Sequence, residues 1–337
     1  IAGAAKERRP EAITDQGGTN FPHRGPLQRG FLLSRPNTDV YVELEAEVSF
    51  AELLGRVLAK RDGGAARLRE SVLDGTVLPG LVYLVPDTRR SPEPVLVTGP
   101  SLPRIRELDD IPSPYLNGML DIFFDGRLTP FLETNRGCPF LCTFCHTGND
   151  YFNKVNKFSL DRIKAEIDYI APRMHKLGIT NLHIADTNFA MYQRDREICE
   201  EFLKTQKEFG WPRHIMSTTG KNNKELVIDI TRLLGTTFSV NMSVQSMDPE
   251  VLKNVHRQNI KLDHYAAVTQ ELNDQGRATK GEVIIGLPGE SKKTFTRGIE
   301  QMLDAEVSSI CSNTLLLLYG TEFHEPEIRA KHQYHRR

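Results

Sequence analysis

A chain of 337 residues exceeds the usual size of one domain, so two units, or one large barrel with an appendage, are expected. Its 39% hydrophobic and 26% charged residues are ordinary for a globular protein, and a net charge of -1 offers no electrostatic footprint for nucleic acid or an anionic membrane surface. The longest unbroken apolar run, Leu315 to Tyr319, is far short of the roughly twenty residues that a spanning helix needs, so no membrane association is expected.

The first block, residues 1–58, carries Gly17-Gly18-Thr19-Asn20-Phe21-Pro22, a β-rich run around Val40-Tyr41-Val42, and a helical pattern through Phe50, Leu53, Leu54, Val57 and Leu58. Paired glycines let a backbone approach a bulky ligand with no Cβ between them; a plain turn is the other reading. Residues 59–125 read as a linker. There Arg61-Asp62-Gly63-Gly64 breaks a helix, and Val82 to Val85 with Val95 to Thr98 form a hairpin around a long polar turn, Pro86 to Pro94. From Arg104 to Leu120 the prolines exclude regular helix and leave a strap between two domains.

The third block, residues 126–320, alternates strand-like and helix-like runs with the rhythm of a parallel α/β sheet. The strands are Leu128 to Leu132, Leu182 to Ala185, Ile215 to Thr218, Phe238 to Val244, Glu282 to Leu287 and Ile310 to Leu318. Between them lie helices from Ser159 to a stop at Gly178, Glu197 to Phe209, Glu225 to Leu234, Pro249 to Val255, Leu262 to Leu272 and Lys293 to Val307. Residues 321–337 open a further region, and a chain that starts at Ile1 and stops at Arg337 without a closing element predicts a longer parent. With no signal-peptide pattern at the start and an odd number of clustered cysteines, a reducing, cytoplasmic setting is expected.

Three of the five cysteines fall within Asn135-Arg136-Gly137-Cys138-Pro139-Phe140-Leu141-Cys142-Thr143-Phe144-Cys145, directly after the first strand of the third block. One loop thus aims three thiolates at one place. A structural zinc site takes four N or S ligands, whereas a cubane cluster takes one thiolate per iron, so three thiolates leave one iron open. His146 adjoins Cys145 too closely for both side chains to converge on one ion. Unpaired core thiols, zinc and a ferredoxin-type cluster are the competing readings. Cys199 and Cys311 sit in helix-like and strand-like stretches, where small buried thiols are expected.

Cys-x3-Cys-x2-Cys with Phe144 before its last cysteine resembles the signature of the radical S-adenosylmethionine (SAM) superfamily. The resemblance implies a partial (β/α)6 barrel and a 4Fe-4S cluster on Cys138, Cys142 and Cys145. It also implies SAM chelated to the open iron and cleaved to a 5'-deoxyadenosyl radical, and a reducing partner such as flavodoxin or ferredoxin. Barrel chemistry sits at the C-terminal ends of strands, and the polar residues there match the family's SAM site in order. Phe144 lines the adenine; Asp186 and Asn188 meet the methionine ammonium; Ser217, in Ser217-Thr218-Thr219-Gly220-Lys221, meets the amino-acid end. Gln245 and Arg257 resemble the pair that holds ribose and carboxylate, and Glu282 with Gly286 resembles the fifth-strand element beside ribose and adenine. Turns, caps and surface charges are the bland alternatives at each place.

In the first block, the order of Gly-Gly loop, strand, acidic turn and helix resembles the last third of a Rossmann-like cobalamin-binding domain, with Gly17, Gly18 and Thr19 near the cofactor's nucleotide tail. The element that supplies or replaces the lower cobalt ligand would lie upstream of Ile1. The whole resemblance implies a cobalamin-dependent radical SAM enzyme that methylates an unactivated carbon or phosphorus centre of a small molecule. A cobalamin-binding radical cyclase, oxidase or rearrangement enzyme is one alternative, and a non-radical iron-sulfur binding or electron-transfer protein is another. No catalytic side chain is assigned beyond the cluster ligands.

Overall fold

Short apolar strands followed by amphipathic helices give the larger part of the molecule a parallel sheet. In a computed structural model, residues 1–64, 67–86, 93–219, 223–259 and 262–335 are described. The middle of the expected polar turn (residues 87–92), Gly220-Lys221 and the closing Arg336-Arg337 lie outside the described residues. The chain forms two units, Ile1–Ile105 with Leu317–Arg337, and Arg106–Leu316.

The first unit contains α1 (Ala2–Arg8), β1 (Asp15–Gly18), α2 (Gly25–Leu33), β2 (Val40–Glu43), α3 (Glu47–Asp62), α4 (Leu68–Val72), β3 (Leu81–Val85) and β4 (Val95–Thr98). Its sheet runs β1-β2-β3-β4, with β1 and β2 parallel and the other pairs antiparallel. The hairpin expected within a linker is therefore the far side of this sheet, for a physical reason: Leu81, Val82 and Tyr83 are all fully buried. Val40, Val42, Leu81 and Tyr83 pack on one face with Leu53 of α3, and Tyr41 and Val82 pack on the other with Phe21 and Phe31. Residues 317–337 complete the same unit. Tyr319 meets Phe31 edge-on at 5.0 Å, the Gly320 carbonyl lies 2.8 Å from His23 Nε2, and Arg24 pairs with Glu327 at 2.8 Å.

The second unit begins with the strap, which carries two single 3-10 turns, Leu108–Asp110 and Asp121–Phe123. Then follow β5 (Phe131–Leu132), β6 (Asn135–Arg136), β7 (Asn156–Lys157), α5 (Leu160–Leu177), β8 (Asn181–Ile184), α6 (Arg194–Phe209), β9 (His214–Met216), α7 (Lys224–Leu234) and β10 (Phe238–Ser239). The rest is β11 (Asn241–Gln245), α8 (Pro249–Asn254), α9 (Leu262–Asp274), β12 (Lys280–Ile285), α10 (Lys292–Asp304) and β13 (Ser309–Thr314), with α11 (Pro326–Lys331) returning to the first unit.

Strands β5, β8, β9 and β10 pair in parallel, as do β11, β12 and β13. The run expected as one strand from Phe238 to Val244 is split at Val240, so that β10 completes one sheet and β11 begins the next. Six strand positions thus follow one another in chain order, the arrangement of a partial (β/α)6 barrel. The last strand stops at Thr314 rather than Leu318. Ser159 Oγ accepts the Arg162 N–H to start α5, and Gly178 ends it at φ +70°; Ile163, Ile167, Ile170 and Met174 form its buried stripe. Among the described residues no helix is long and apolar enough to cross a membrane.

Candidate functional site

The cysteine loop leaves β5 and is closed at its base by the antiparallel pair β6-β7. Its root is fixed by Asp186, which follows β8 and is 2% exposed. That carboxylate accepts the Thr134 N–H at 2.8 Å, the Thr134 hydroxyl, the Asn135 N–H at 3.3 Å and Asn135 Nδ2 at 2.5 Å. Burial pushes the Asp186 carboxyl up to about 7, against the pull of those hydrogen bonds. Beside it the Thr187 hydroxyl donates to the Gly137 carbonyl at 2.8 Å, and Gly137 sits at φ +117°, where a side chain would be strained.

Further along, Cys138 N–H donates to Phe152 O at 2.8 Å and Thr143 N–H to Val255 O at 3.1 Å, so the middle of the loop is tied to the end of α8. Cys145 N–H donates to Cys142 O at 3.0 Å, and a Cβ on Gly148 would stand 2.0 Å from that same carbonyl. Every stage of the loop is thus set by hydrogen bonds or by close approach.

These constraints bring Cys138 and Cys142, both buried, and the half-buried Cys145 into one cluster with Phe140, Phe144 and Met191. None of the three cysteines is in a disulfide. Among the described residues no three His, Cys, Asp or Glu side chains form a group that could hold one metal ion; a cubane takes one thiolate per iron. Cys199 and Cys311 stand apart, and burial within α6 pushes the Cys199 thiol up.

Polar side chains reach all three sulfurs, with Thr147 Oγ1 3.3 Å from Cys145 Sγ. Asn188 Nδ2 lies 3.3 Å from Cys138 Sγ, and Arg257 Nη1 lies 3.9 Å from Cys142 Sγ. Arg257 is 6% exposed. Its Nε donates to Val244 O at 3.2 Å and to Asn259 Oδ1 at 2.7 Å, and its Nη2 donates to Ser243 O. Burial lowers the pKa of this guanidinium, while the three cysteines push it back up.

The residues expected around SAM divide into two groups. Asp186, expected at the methionine ammonium, has both oxygens engaged by the cysteine loop, and Arg257, expected at the carboxylate, has two of its three nitrogens engaged by the end of β11 and by Asn259. Glu282 accepts Ser243 Oγ at 2.6 Å and Asn241 Nδ2 at 3.0 Å, joining β12 to β11; these bonds hold its carboxyl below the usual range despite the opposing effect of burial. Ser217 Oγ turns back to Thr218 O at 3.3 Å.

The other group keeps capacity to spare. Asn188 Oδ1 and Gln245 Oε1 are buried and carry no hydrogen bond among the described residues. Gln245 ends β11 at φ +66°, where the register with β12 shifts, a strained turn of the kind found at ligand sites. Gly286 follows β12 at φ +92°. Phe144 packs within the cysteine cluster. Orphaned buried acceptors beside three clustered cysteines fit a cluster with a polar cofactor bound next to it. A cavity of about 670 Å³ opens beside the same loop, bounded by Phe140, Leu141, Met191 and Arg257. A separate cavity of about 250 Å³, walled by Tyr115, Phe124, Phe131 and Met174, has no charged side chain in its lining.

In the first unit, β1 lies at a sheet edge, and a Cβ on Gly17 would stand 3.3 Å from Val42 O. Gly18 is at φ +111° and its carbonyl accepts Tyr41 OH at 3.2 Å; the Thr19 carbonyl lies where Gly320 approaches too closely for any side chain. Thr134 and Asn135, the donors that locate the cysteine loop, and Asn259, which steadies Arg257, escape sequence reasoning. The adjacency of Thr-Asn to the first cysteine was the available signal.

Comparison with known proteins agrees with this arrangement. The profile of the Radical SAM superfamily matches residues 132–302. The chain is 34% identical over 318 residues to the cobalamin-dependent radical SAM methyltransferase TokK of Streptomyces tokunonensis, covering 90% of this chain and 42% of TokK. It is 31% identical, with the same coverage, to the 2-(S-pantetheinyl)-carbapenam-3-carboxylate methyltransferase of Streptantibioticus cattleyicolor. The chain thus spans about two fifths of the length of these relatives. In fold it is similar to the radical S-adenosylmethionine methyltransferase TsrM from Kitasatospora setae, solved with cobalamin and a [4Fe-4S] cluster bound. The TM-score is 0.64 at 16% identity, over 96% of this chain and 59% of TsrM.

Proposed function

This chain belongs to the radical SAM superfamily, and from that premise we propose that Cys138, Cys142 and Cys145 hold a 4Fe-4S cluster whose open iron takes SAM. The observation that carries the reading is the cysteine loop itself: three clustered cysteines fixed by Asp186 at the root, Val255 at the middle and Gly148 at the close, beside two buried acceptors without a hydrogen bond among the described residues. We further propose that the whole protein is a cytoplasmic, cobalamin-dependent methyltransferase acting on an unactivated carbon or phosphorus centre of a small molecule, reduced by a flavodoxin or ferredoxin. The names of the two curated relatives and the order of the fold support it.

When bound, the cluster and SAM supply a 5'-deoxyadenosyl radical and cobalamin supplies the methyl group, chemistry that belongs to the cofactors. The chain's own part is orientation and exclusion of water. Asn188 Oδ1 and Gln245 Oε1 are the acceptors for the ammonium and hydroxyl groups of SAM, and Ser217 and Glu282 complete the polar rim. Phe144 offers its ring to the adenine, and Gly286 lets the backbone close upon it without a Cβ. Phe140 and Met191 keep the thiolates dry. Asp186 and Arg257 serve the loop rather than the cofactor. In the first unit, residues 1–58 are the closing part of a cobalamin-binding fold, with Gly17, Gly18 and Thr19 along the nucleotide tail.

The test is a product ratio from the whole protein with dithionite, SAM, cobalamin and a candidate small-molecule substrate as methyl acceptor. Methyl transfer yields S-adenosylhomocysteine and 5'-deoxyadenosine in comparable amounts, with the first dependent on cobalamin. Deoxyadenosine without S-adenosylhomocysteine overturns methyl transfer in favour of cyclisation, oxidation or rearrangement.

A further inference from the structure

Asn188 and Arg257 share a property that a cofactor-binding role does not require: each directs an N–H at a cysteine sulfur. The Asn188 amide is 3% exposed and is held in place by the Thr187 hydroxyl, which accepts from Asn188 Nδ2 at 3.1 Å and itself donates to Gly137 in the cysteine loop. Amide and sulfur therefore move together. Presenting Nδ2 rather than Oδ1 to Cys138 is the orientation a thiolate demands, since an acceptor there would be repelled.

Arg257 is a buried cation with no ion pair to a carboxylate among the described residues, and burying a charge without a counter-charge is costly. Backbone carbonyls at the end of β11 and Asn259 fix its plane, and the remaining nitrogen faces Cys142 at 3.9 Å. At that length the contact acts mainly through charge, and with a cluster bound the thiolates of the loop would be the anions within reach.

We propose that Asn188 and Arg257 are positioning residues for the cluster thiolates, and that their N–H donor and buried positive charge raise the reduction potential of the cluster. The inference rests on the cluster reading given above. Reduction adds an electron to a thiolate-ligated assembly that is already negative, and both a hydrogen bond to sulfur and a nearby cation in a low-dielectric site stabilise the added charge. Without them the cluster is harder to reduce by the same donor.

The experiment is an EPR-monitored redox titration of the chain reconstituted anaerobically with iron and sulfide, in the absence of SAM. Wild type is compared with Asn188→Leu, Arg257→Gln and Arg257→Lys. The expected result is full iron in all four proteins, a lower midpoint potential in Asn188→Leu and Arg257→Gln, and a potential near wild type in Arg257→Lys, which keeps the charge. Unchanged potentials at full iron overturn the proposal, as does a loss confined to SAM affinity. Failure of the variants to hold iron also overturns it, assigning both side chains to loop assembly alone. A wild-type chain that takes up no iron overturns the underlying cluster reading instead, and iron analysis before the titration separates that case.

Discussion

Asp186 holds the side-chain amide of Asn135 at 2.5 Å across 51 residues of sequence, so the end of β8 decides where the cysteine loop begins. A carboxylate that could have faced a ligand is instead the foundation of the site. The loop contributes spacing, and the neighbouring strand contributes position.

Replacing Asp186 by Asn turns a donor toward donors and leaves at least one buried N–H unmatched, at a cost of roughly 1–3 kcal/mol. The same variant tests a pH effect. Asp186 titrates near 3.8 when unfolded and is pushed up to about 7 when folded, so its stability contribution is full below the lower value and is lost as pH rises through the upper one. Urea midpoints measured from about pH 4 to about pH 8 should fall for wild type across that window. Asp186→Asn should lack this component.

Replacing Cys142 by Ala removes one of three thiolates from a cubane and should abolish the brown, oxygen-sensitive chromophore. Iron should fall from about four per chain to a small remainder. Colourless protein with a single zinc in wild type is the result that ends the cluster assignment.

Two glycines provide a matched contrast. Gly148→Ala forces a Cβ against the Cys142 carbonyl, which belongs to the backbone and cannot rotate away, so iron uptake should drop sharply. Gly55→Ala lies within α3 with open space around it, and should raise stability by roughly 0.5–1 kcal/mol while leaving iron uptake alone. Iron content and thermal midpoint, read on the same samples, check both.

Ser159→Ala removes the cap that accepts the Arg162 N–H at 3.2 Å and should cost about 1 kcal/mol. Reconstituted iron should be unchanged, since the helix start does not touch the cysteines. A loss of iron in this variant would show that α5 and the loop are energetically coupled.

Local chemistry made the βα succession legible: Ser159, Asp248 and Ser291 cap helices as their residue types demand, and Gly178 ends one in the left-handed region. Long-range pairing was not. Nothing near Val82 announces that its hairpin pairs with Val40 to Val42, and nothing in the uninterrupted run from Phe238 to Val244 marks Val240 as the break between two sheets. Helix α2 was hidden because Gly25, Pro26 and Gly30 read as punctuation, although Pro26 opens the helix in the first turn, where its missing N–H is harmless. At the site, the spacing of the cysteines predicts that the three come together on one loop, and Cys138, Cys142 and Cys145 do share one cluster. Asp186 and Arg257 were assigned by residue type to a ligand, because a sequence shows which groups a side chain carries but not which distant backbone atoms already occupy them.

The contact of Tyr319 with Phe31, and of Gly320 with His23, builds the first unit from two segments of the sequence with the second unit inserted between them. During synthesis on a ribosome, the sheet of the first unit emerges early, yet its Phe31 face waits for Tyr319 until the whole second unit has been translated. The interval leaves Phe31 with Phe21 and Tyr41 but without Tyr319. Chaperone dependence, and the point at which a nascent chain becomes resistant to protease, should therefore be set by the arrival of residues 317–320 rather than by completion of the first sheet.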